Sequence, residues 1–173
     1  MLANGLILVV DRSLDAAGDA EASRFRDALA LGALREDVRW NAFTGRVYEH
    51  LSRVSGARLP GGFLPFLCPG PARMAERYFD QAVALARGGR RAGAYVRLGR
   101  ALHLLADMAC PVHAQRVVHE TDPYEWGVES RAEELRRIPI PSLPRAERPA
   151  ELVAALAALA QLERADGTRS MHG

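Results

Sequence analysis

Residues 98–113 read Leu98-Gly-Arg-Ala-Leu-His103-Leu-Leu-Ala-Asp107-Met-Ala-Cys-Pro111-Val-His113. Most of this segment is apolar, so it is predicted to form a helix buried at the centre of the protein. His103 and Asp107 are four residues apart and therefore project from the same face of that helix. Pro111 is expected to end the helix, and His113 then lies on the turn that follows. Buried imidazole and carboxylate groups are costly unless they are satisfied, and a shared metal ion would satisfy all three side chains.

Two histidines and one carboxylate form a donor set that suits zinc. Gly99 lies one turn before His103 and leaves room near the same face for another group or an ion. The alternative is that His103 is a core histidine hydrogen-bonded to Asp107, with no metal. These residues alone leave both interpretations open.

The rest of the chain is also predicted to be helical, because apolar residues recur at steps of three and four. The expected helices are Ala20–Leu34, Asp37–Arg53, Ala72–Arg87 with a stop at Gly88-Gly89, Ala92–Ala109, one that starts at Asp122, and Pro149–Arg164, followed by a frayed tail. The Pro- and Gly-rich segment Leu59–Pro71 is predicted to be a loop, and a Pro-rich connection follows from Ile138 to Pro144. No segment alternates as a strand does, so the sequence predicts an all-α protein.

Length and composition indicate one domain over residues 1–173, with hydrophobic and charged fractions of 49% and 25% that are ordinary for a globular protein. The formal charge of +2 is too small to indicate an anionic membrane or nucleic acid as a binding partner.

No apolar run approaches the ~20 residues of a transmembrane helix. The apolar run Leu6–Val10 is short and lacks preceding basic residues, so it is a poor signal peptide. Compartment and oligomeric state stay open. Cys68 and Cys110 are too few for a disulfide framework and are interpreted as buried filler.

Further candidate ligands lie on either side of the central segment. Asp37 and His50 are about three and a half turns apart, so they can reach one site from the two ends of a helical segment; Asp37 can instead be a helix N-cap. Glu125 follows Asp122 by three residues and can be either a ligand or the return partner of a capping box. His119 lies in a polar loop, where it can also be simply solvated.

The spacing His103-x3-Asp107-x5-His113 resembles that of the zinc-dependent phospholipase C and single-strand nuclease superfamily. Upstream, Leu31-Gly-Ala-Leu-Arg-Glu-Asp37 looks like the Gly-Ala-x-x-Glu/Pro-Asp segment of bacterial members. Tyr48-Glu-His50-Leu lies where the family has an Asn-His-Phe ligand segment. Downstream, His119 with Asp122-Pro-Tyr-Glu125 resembles the segment that supplies the last ligands. The resemblance extends from about Leu31 to Val128, with a weaker similarity in the final helix.

The resemblance implies a single multi-helix domain of the zinc phospholipase C type, built around a central buried metal-binding helix. It implies a first zinc ion held by His50, His103 and Asp107, with Asp37 as an added ligand or as the catalytic base that orients the attacking water. It implies a second zinc ion held by His113, His119 and Glu125. Asp107 would also bridge toward a third ion.

The third ion of the family is bound by an N-terminal tryptophan and a nearby histidine. This chain begins Met-Leu-Ala-Asn, its first tryptophan is Trp40 and its first histidine is His50. We therefore expect two zinc ions; the third site is missing or degraded, or the true start of the protein lies upstream of this sequence.

The implied reaction is metal-assisted phosphodiester hydrolysis. A phospholipid head group is the preferred substrate, because only 6% of the residues are aromatic and a nuclease needs stacking platforms. The alternatives are a single-strand nuclease, for which nucleic acid is a partner only as substrate, and a degenerate zinc-binding domain without catalysis. The last alternative is a helical bundle that binds no metal. The chain contains no His-Asp dipeptide, which argues against the metal phosphohydrolases that use one.

Overall fold

The computed structural model describes residues 3–36, 70–114, 123–139 and 148–170. Of the described residues, 88% are helical and none is in a strand, which confirms the all-α prediction. The described helices are α1 (Ala3–Ala17), α2 (Ala20–Arg24), α3 (Arg26–Glu36), α4 (Pro71–Arg87), α5 (Arg91–Ala109), α6 (Pro111–Ala114), α7 (Pro123–Ser130), α8 (Ala132–Arg136) and α9 (Pro149–Ser170). None of the helices in these ranges combines the length and apolar character needed to cross a membrane.

Helix α5 is the central helix, as the sequence predicts. It packs most extensively against α3 and α4 and also contacts α1, α6 and α9. Its neighbours bury a core of small and medium side chains on several sides of it. The fully buried members of the main cluster include Met74, Tyr78, Leu104, Met108 and Ala157. With packing partners around most of its circumference, α5 buries polar groups as well as apolar ones.

Helices α3 and α5 approach so closely that their backbones touch. A Cβ atom added to Gly99 would lie 2.0 Å from the carbonyl oxygen of Leu29, and one added to Gly32 would lie 2.1 Å from that of Val96. Only glycine fits at either position. The space beside Gly99, predicted to hold another group or an ion, is therefore filled by the backbone of α3.

The N-terminal part of the chain differs from the sequence expectation in two ways. The apolar run Leu6–Val10 belongs to α1, where Leu6, Leu8 and Val10 are buried in the core. The predicted helix Ala20–Leu34 is divided at Phe25, whose ring stacks on Tyr95 with centroids 4.9 Å apart.

Helix ends agree with the sequence signals where those signals involve glycine or proline. Helix α4 ends at Arg87, and Gly89 takes a φ of 75°, a left-handed conformation that glycine adopts without strain. Helix α5 ends at Ala109, two residues before Pro111. The last helix extends to Ser170, six residues beyond the expected end, because no proline interrupts it. Three of the sequence predictions lie outside the described residues. They are the helix Asp37–Arg53, the loop Leu59–Pro71 except for its last two residues, and the cap at Asp122.

Candidate metal centre

His103 is held in one tautomer by the backbone of α3. Its Nδ1 atom lies 2.9 Å from the carbonyl oxygen of Ala33, and since a carbonyl can only accept, Nδ1 carries a hydrogen and donates it. Its Nε2 atom lies 3.2 Å from Asp107 Oδ2, and both side chains are 0% exposed. In the neutral ring, Nε2 then directs a lone pair at a carboxylate oxygen. Two electron-rich atoms at this distance require something positive between them, either a proton carried by one member of the pair or a bound metal ion.

Asp107 lies between two histidines and directs one oxygen toward each. Oδ2 faces His103, whereas Oδ1 is 3.7 Å from His113 Nε2. The side chain of His113 is only 11% exposed. Because its two oxygens are directed at different imidazoles, Asp107 is placed to belong to two sets of metal ligands.

Pro111 explains how His113 returns to the end of α5. The chain leaves α5 at Cys110, which has extended backbone angles, and begins the short helix α6 at Pro111. Proline is favoured at the first position of a helix, where its missing N–H is not needed. The reversal of direction at Cys110 brings His113, six residues after Asp107, next to that carboxylate.

Glu125 enters the site from α7, which packs against α1. His113 Nε2 donates to Glu125 Oε1 at 3.1 Å. On the same helix, Glu129 accepts a hydrogen bond from the backbone N–H of Gly5 at 3.0 Å, and this contact links α7 to the start of α1. The reach of Glu125 to His113 favours a role in the site over the capping-box alternative.

The charges of the site perturb its titratable groups. Burial alone lowers the pKa of His113, but the nearby carboxylates of Asp107 and Glu125 raise it above its ordinary value. Burial alone raises the pKa of Glu125. The hydrogen bond from His113 and the positive charge nearby lower it, and together they bring the pKa below its ordinary value. The site therefore favours the anionic form of Glu125 and is suited to a cation.

Cys110 is a further candidate donor that the sequence interpretation did not include. It is a fully buried thiol, as predicted. One donor atom from each of Cys110, His113 and Glu125 lies within 4.8 Å of the others, so these three buried or nearly buried residues can bind a metal ion. The position of Cys110 between Asp107 and His113 was the sequence signal that could have indicated a role as a ligand. Its proximity to Glu125 depends on how α7 packs and could not be inferred from the sequence.

A second buried polar network fixes α3 beside this centre. Glu36 has a side chain that is 0% exposed, accepts from the hydroxyl of Tyr78 at 2.7 Å, and pairs with Arg100 at 2.9 Å. The guanidinium of Arg100 also lies over the ring of Tyr78, 5.7 Å from its centroid. Glu36 thereby links the end of α3 to α4 and α5, one turn after Ala33, whose carbonyl accepts from His103.

The structure brings together four of the seven residues predicted from the sequence, namely His103, Asp107, His113 and Glu125. The other three, Asp37, His50 and His119, lie outside the described residues, as does Cys68. Among the described residues, the donors thus converge at one end of α5.

Comparison of the chain with known proteins gives no identification: no protein-family model matches it, and no curated protein matches it either. Its function is therefore argued from the chemistry of this centre.

Proposed function

We propose that this protein is a zinc-dependent phosphodiesterase of the phospholipase C type, with its metal ions held around Asp107. The observation that carries the proposal is the position of Asp107 between His103 and His113, with one carboxylate oxygen directed at each imidazole. A single buried carboxylate with two imidazole neighbours suits a site for more than one ion.

The geometry of His103 supports metal binding over a simple core hydrogen bond. Histidine ligands commonly donate their second ring N–H to a backbone carbonyl, which fixes the tautomer and the ring orientation. The bond from Nδ1 to Ala33 does this and leaves Nε2 as the donor atom toward the ion. A core histidine with the same contacts would have to share a proton with Asp107 in a buried pair, which is a weak source of stability.

The resemblance to the zinc-dependent superfamily adds the reaction and the remaining ligands to the proposal. His50 and Asp37 would complete the set of His103 and Asp107, and His119 would join His113 and Glu125. Asp37 would orient the attacking water. When bound, zinc ions supply an activated water and neutralise charge on the phosphoryl oxygens. The residues of the chain would hold the ions, and the lowered pKa of Glu125, first through the hydrogen bond from His113, favours the anionic form that a metal ligand needs.

A phospholipid is the substrate that we favour, with a single-strand nucleic acid as the second candidate. Trp126, next to Glu125, is 59% exposed. An exposed indole suits the boundary between a lipid surface and water, where one part of the ring is apolar and the other wet. The same ring would also stack on a base. Hydrolysis assays on the two substrates separate these candidates.

The first test is metal content. Protein purified without chelators is expected to carry about two zinc ions per chain, and clearly less than about one would contradict the proposal. His103→Ala and Asp107→Ala are each expected to lose most of the zinc. Asp27→Ala is the control, because the side chain of Asp27 is 98% exposed.

The second test is activity. Hydrolysis of phosphatidylcholine, to diacylglycerol and phosphocholine, is compared with hydrolysis of single-stranded DNA. Activity on the lipid supports the phospholipase assignment, and activity on DNA alone would replace it with the nuclease. Zinc binding without hydrolysis of either substrate would identify a degenerate zinc-binding domain. Full activity in Asp107→Ala would contradict the proposed ligands.

A further inference from the structure

Cys110 is held rigidly at the turn between α5 and α6. Its backbone N–H donates to the carbonyl of Asp107 at 2.9 Å, and its own carbonyl accepts from the N–H of Ala114 at 3.0 Å. Because both backbone groups are bonded within the turn, the direction of the Cα–Cβ bond is fixed, and rotation about that bond decides where the sulfur lies. The residue is 0% exposed.

The thiol is directed toward the same space as His113 and Glu125. The three donor atoms lie within 4.8 Å of one another. In a tetrahedral zinc site, with Zn–S of about 2.3 Å and Zn–N or Zn–O of about 2.0–2.2 Å, two ligand atoms lie about 3.5 Å apart. The donor atoms here lie within 4.8 Å of one another, which is about one ångström more. The difference is of the size that changes in side-chain torsion angles produce. The three donors are therefore close enough to be candidate ligands of one ion.

The chemistry of the three donors narrows the class of ion. Magnesium, calcium and manganese prefer oxygen ligands, whereas a thiolate selects zinc and softer ions. A thiolate buried without a positive partner would be expensive, so coordination and deprotonation of Cys110 are expected to occur together.

We infer that the thiolate of Cys110 binds the same ion as His113 and Glu125, so that this site has mixed sulfur, nitrogen and oxygen ligands and takes a thiophilic divalent cation. The inference rests on the proposed function only in that an ion is bound at this centre. It does not depend on which reaction follows.

The test replaces the bound metal with Co²⁺, whose complexes with thiolates absorb in the near ultraviolet through sulfur-to-metal charge transfer. The wild-type protein is expected to show this band, Cys110→Ser to lose it, and Cys68→Ser to keep it as the matched control. Since Cys110→Ser can also fail to fold, the helical circular dichroism of each variant is recorded. X-ray absorption of the zinc-loaded wild type provides a readout without mutation and is expected to show a sulfur neighbour at about 2.3 Å.

Competition between ions gives a third readout. Cadmium binds thiolates more strongly than zinc does, so Cys110→Ser is expected to lower the preference of the protein for cadmium over zinc by roughly tenfold. The Cys68→Ser variant should keep the wild-type preference.

The outcomes separate this inference from the proposed function. Bound zinc without a sulfur neighbour, or a charge-transfer band that disappears in Cys68→Ser instead, would overturn the role of Cys110 while the phosphodiesterase proposal stands. A sulfur neighbour in a protein that hydrolyses neither substrate supports the inference and overturns the hydrolase. Absence of any bound ion would overturn both.

Discussion

Gly32 and Gly99 face each other across the contact between α3 and α5, and a Cβ added to Gly99 would lie 3.0 Å from the Cα of Gly32. This backbone contact determines the distance between the two helices. It is also what allows the carbonyl of Ala33, the residue after Gly32, to reach Nδ1 of His103. The orientation of a candidate metal ligand thus depends on two glycines that have no side chain to contribute.

Gly99→Ala is expected to destabilise the protein by about 1–3 kcal/mol or more, because its Cβ would overlap the backbone of Leu29 and force the helices apart. It should also weaken zinc binding by moving Ala33 away from His103. Chemical denaturation and zinc titration measure the two effects. Gly93→Ala on the same helix is the control, since its Cβ would meet only the side chain of Leu85 at 3.7 Å. That variant should be as stable as the wild type or more stable by up to about 1 kcal/mol. Equal stabilities for the two variants would contradict the helix contact.

Tyr78→Phe is expected to lower the free energy of unfolding by about 1–3 kcal/mol, because it removes a hydroxyl donor from the buried carboxylate of Glu36. Urea denaturation measures the change. Tyr95→Phe is the matched control, because it removes the same hydroxyl and keeps the ring that stacks on Phe25. A loss in Tyr95→Phe as large as that in Tyr78→Phe would argue against a special role for the Glu36 network.

Asp107→Asn is expected to abolish the stabilisation of the protein by zinc. A ligand that binds only the folded state stabilises it by about 4 kcal/mol at a thousand times its dissociation constant. The melting temperature of the wild type should therefore rise clearly when zinc replaces a chelator, whereas that of the variant should hardly change. Asp27→Asn, at an exposed position, should respond as the wild type does. A full response to zinc in Asp107→Asn would contradict the position of Asp107 as a ligand.

Asp11 is expected to make stability depend on pH in the acid range. Burial raises the pKa of Asp11, but the hydrogen bonds from Arg26 and Arg136 outweigh it and hold the pKa below the ordinary value of 3.8. Between the folded-state pKa and 3.8 the unfolded chain binds more protons, so this contribution is complete above 3.8 and is lost as the pH falls through the folded-state pKa.

Asp11→Asn should therefore destabilise the protein by about 1 kcal/mol near neutral pH, and by progressively less in acid. Urea denaturation at a series of pH values checks this. Asp15→Asn is the control on an exposed position of the same helix. A constant difference between Asp11→Asn and the wild type at all pH values would contradict the ion pairs of Asp11.

Sequence patterns predicted the parts of the fold that depend on local signals. The ends of α4 and α5 follow from Gly88-Gly89 and from Pro111, and the common face of His103 and Asp107 follows from their spacing. The division at Phe25 was not predicted. The ring of Phe25 stacks on Tyr95, seventy residues later in the chain, and a contact between such distant residues leaves no local sequence signal. The apolar run Leu6–Val10 gave too short a pattern to indicate that α1 is a core helix.

The candidate site was predictable to a similar extent and for the same reason. His103, Asp107 and His113 are close in sequence, so helix geometry and one proline bring them together. The contact of Ala33 was not visible, since a backbone carbonyl has no sequence signature. The proximity of the Cys110 thiol to Glu125 was not visible either, because Glu125 lies on α7, which packs against α1. The ligand roles of all seven predicted residues stay predictions, to be tested by the metal measurements above.

The turn at Cys110 has a consequence for the order in which the protein folds. His103, Asp107, Cys110 and His113 all lie on one helix and the turn after it, so bringing them together closes only very short loops and costs little chain entropy. Glu125 follows His113 by 12 residues, whereas the carbonyl of Ala33 lies 70 residues away from His103 along the chain. We therefore expect the helix–turn segment to bind an ion before α3 docks, so that zinc speeds refolding as well as stabilising the folded protein.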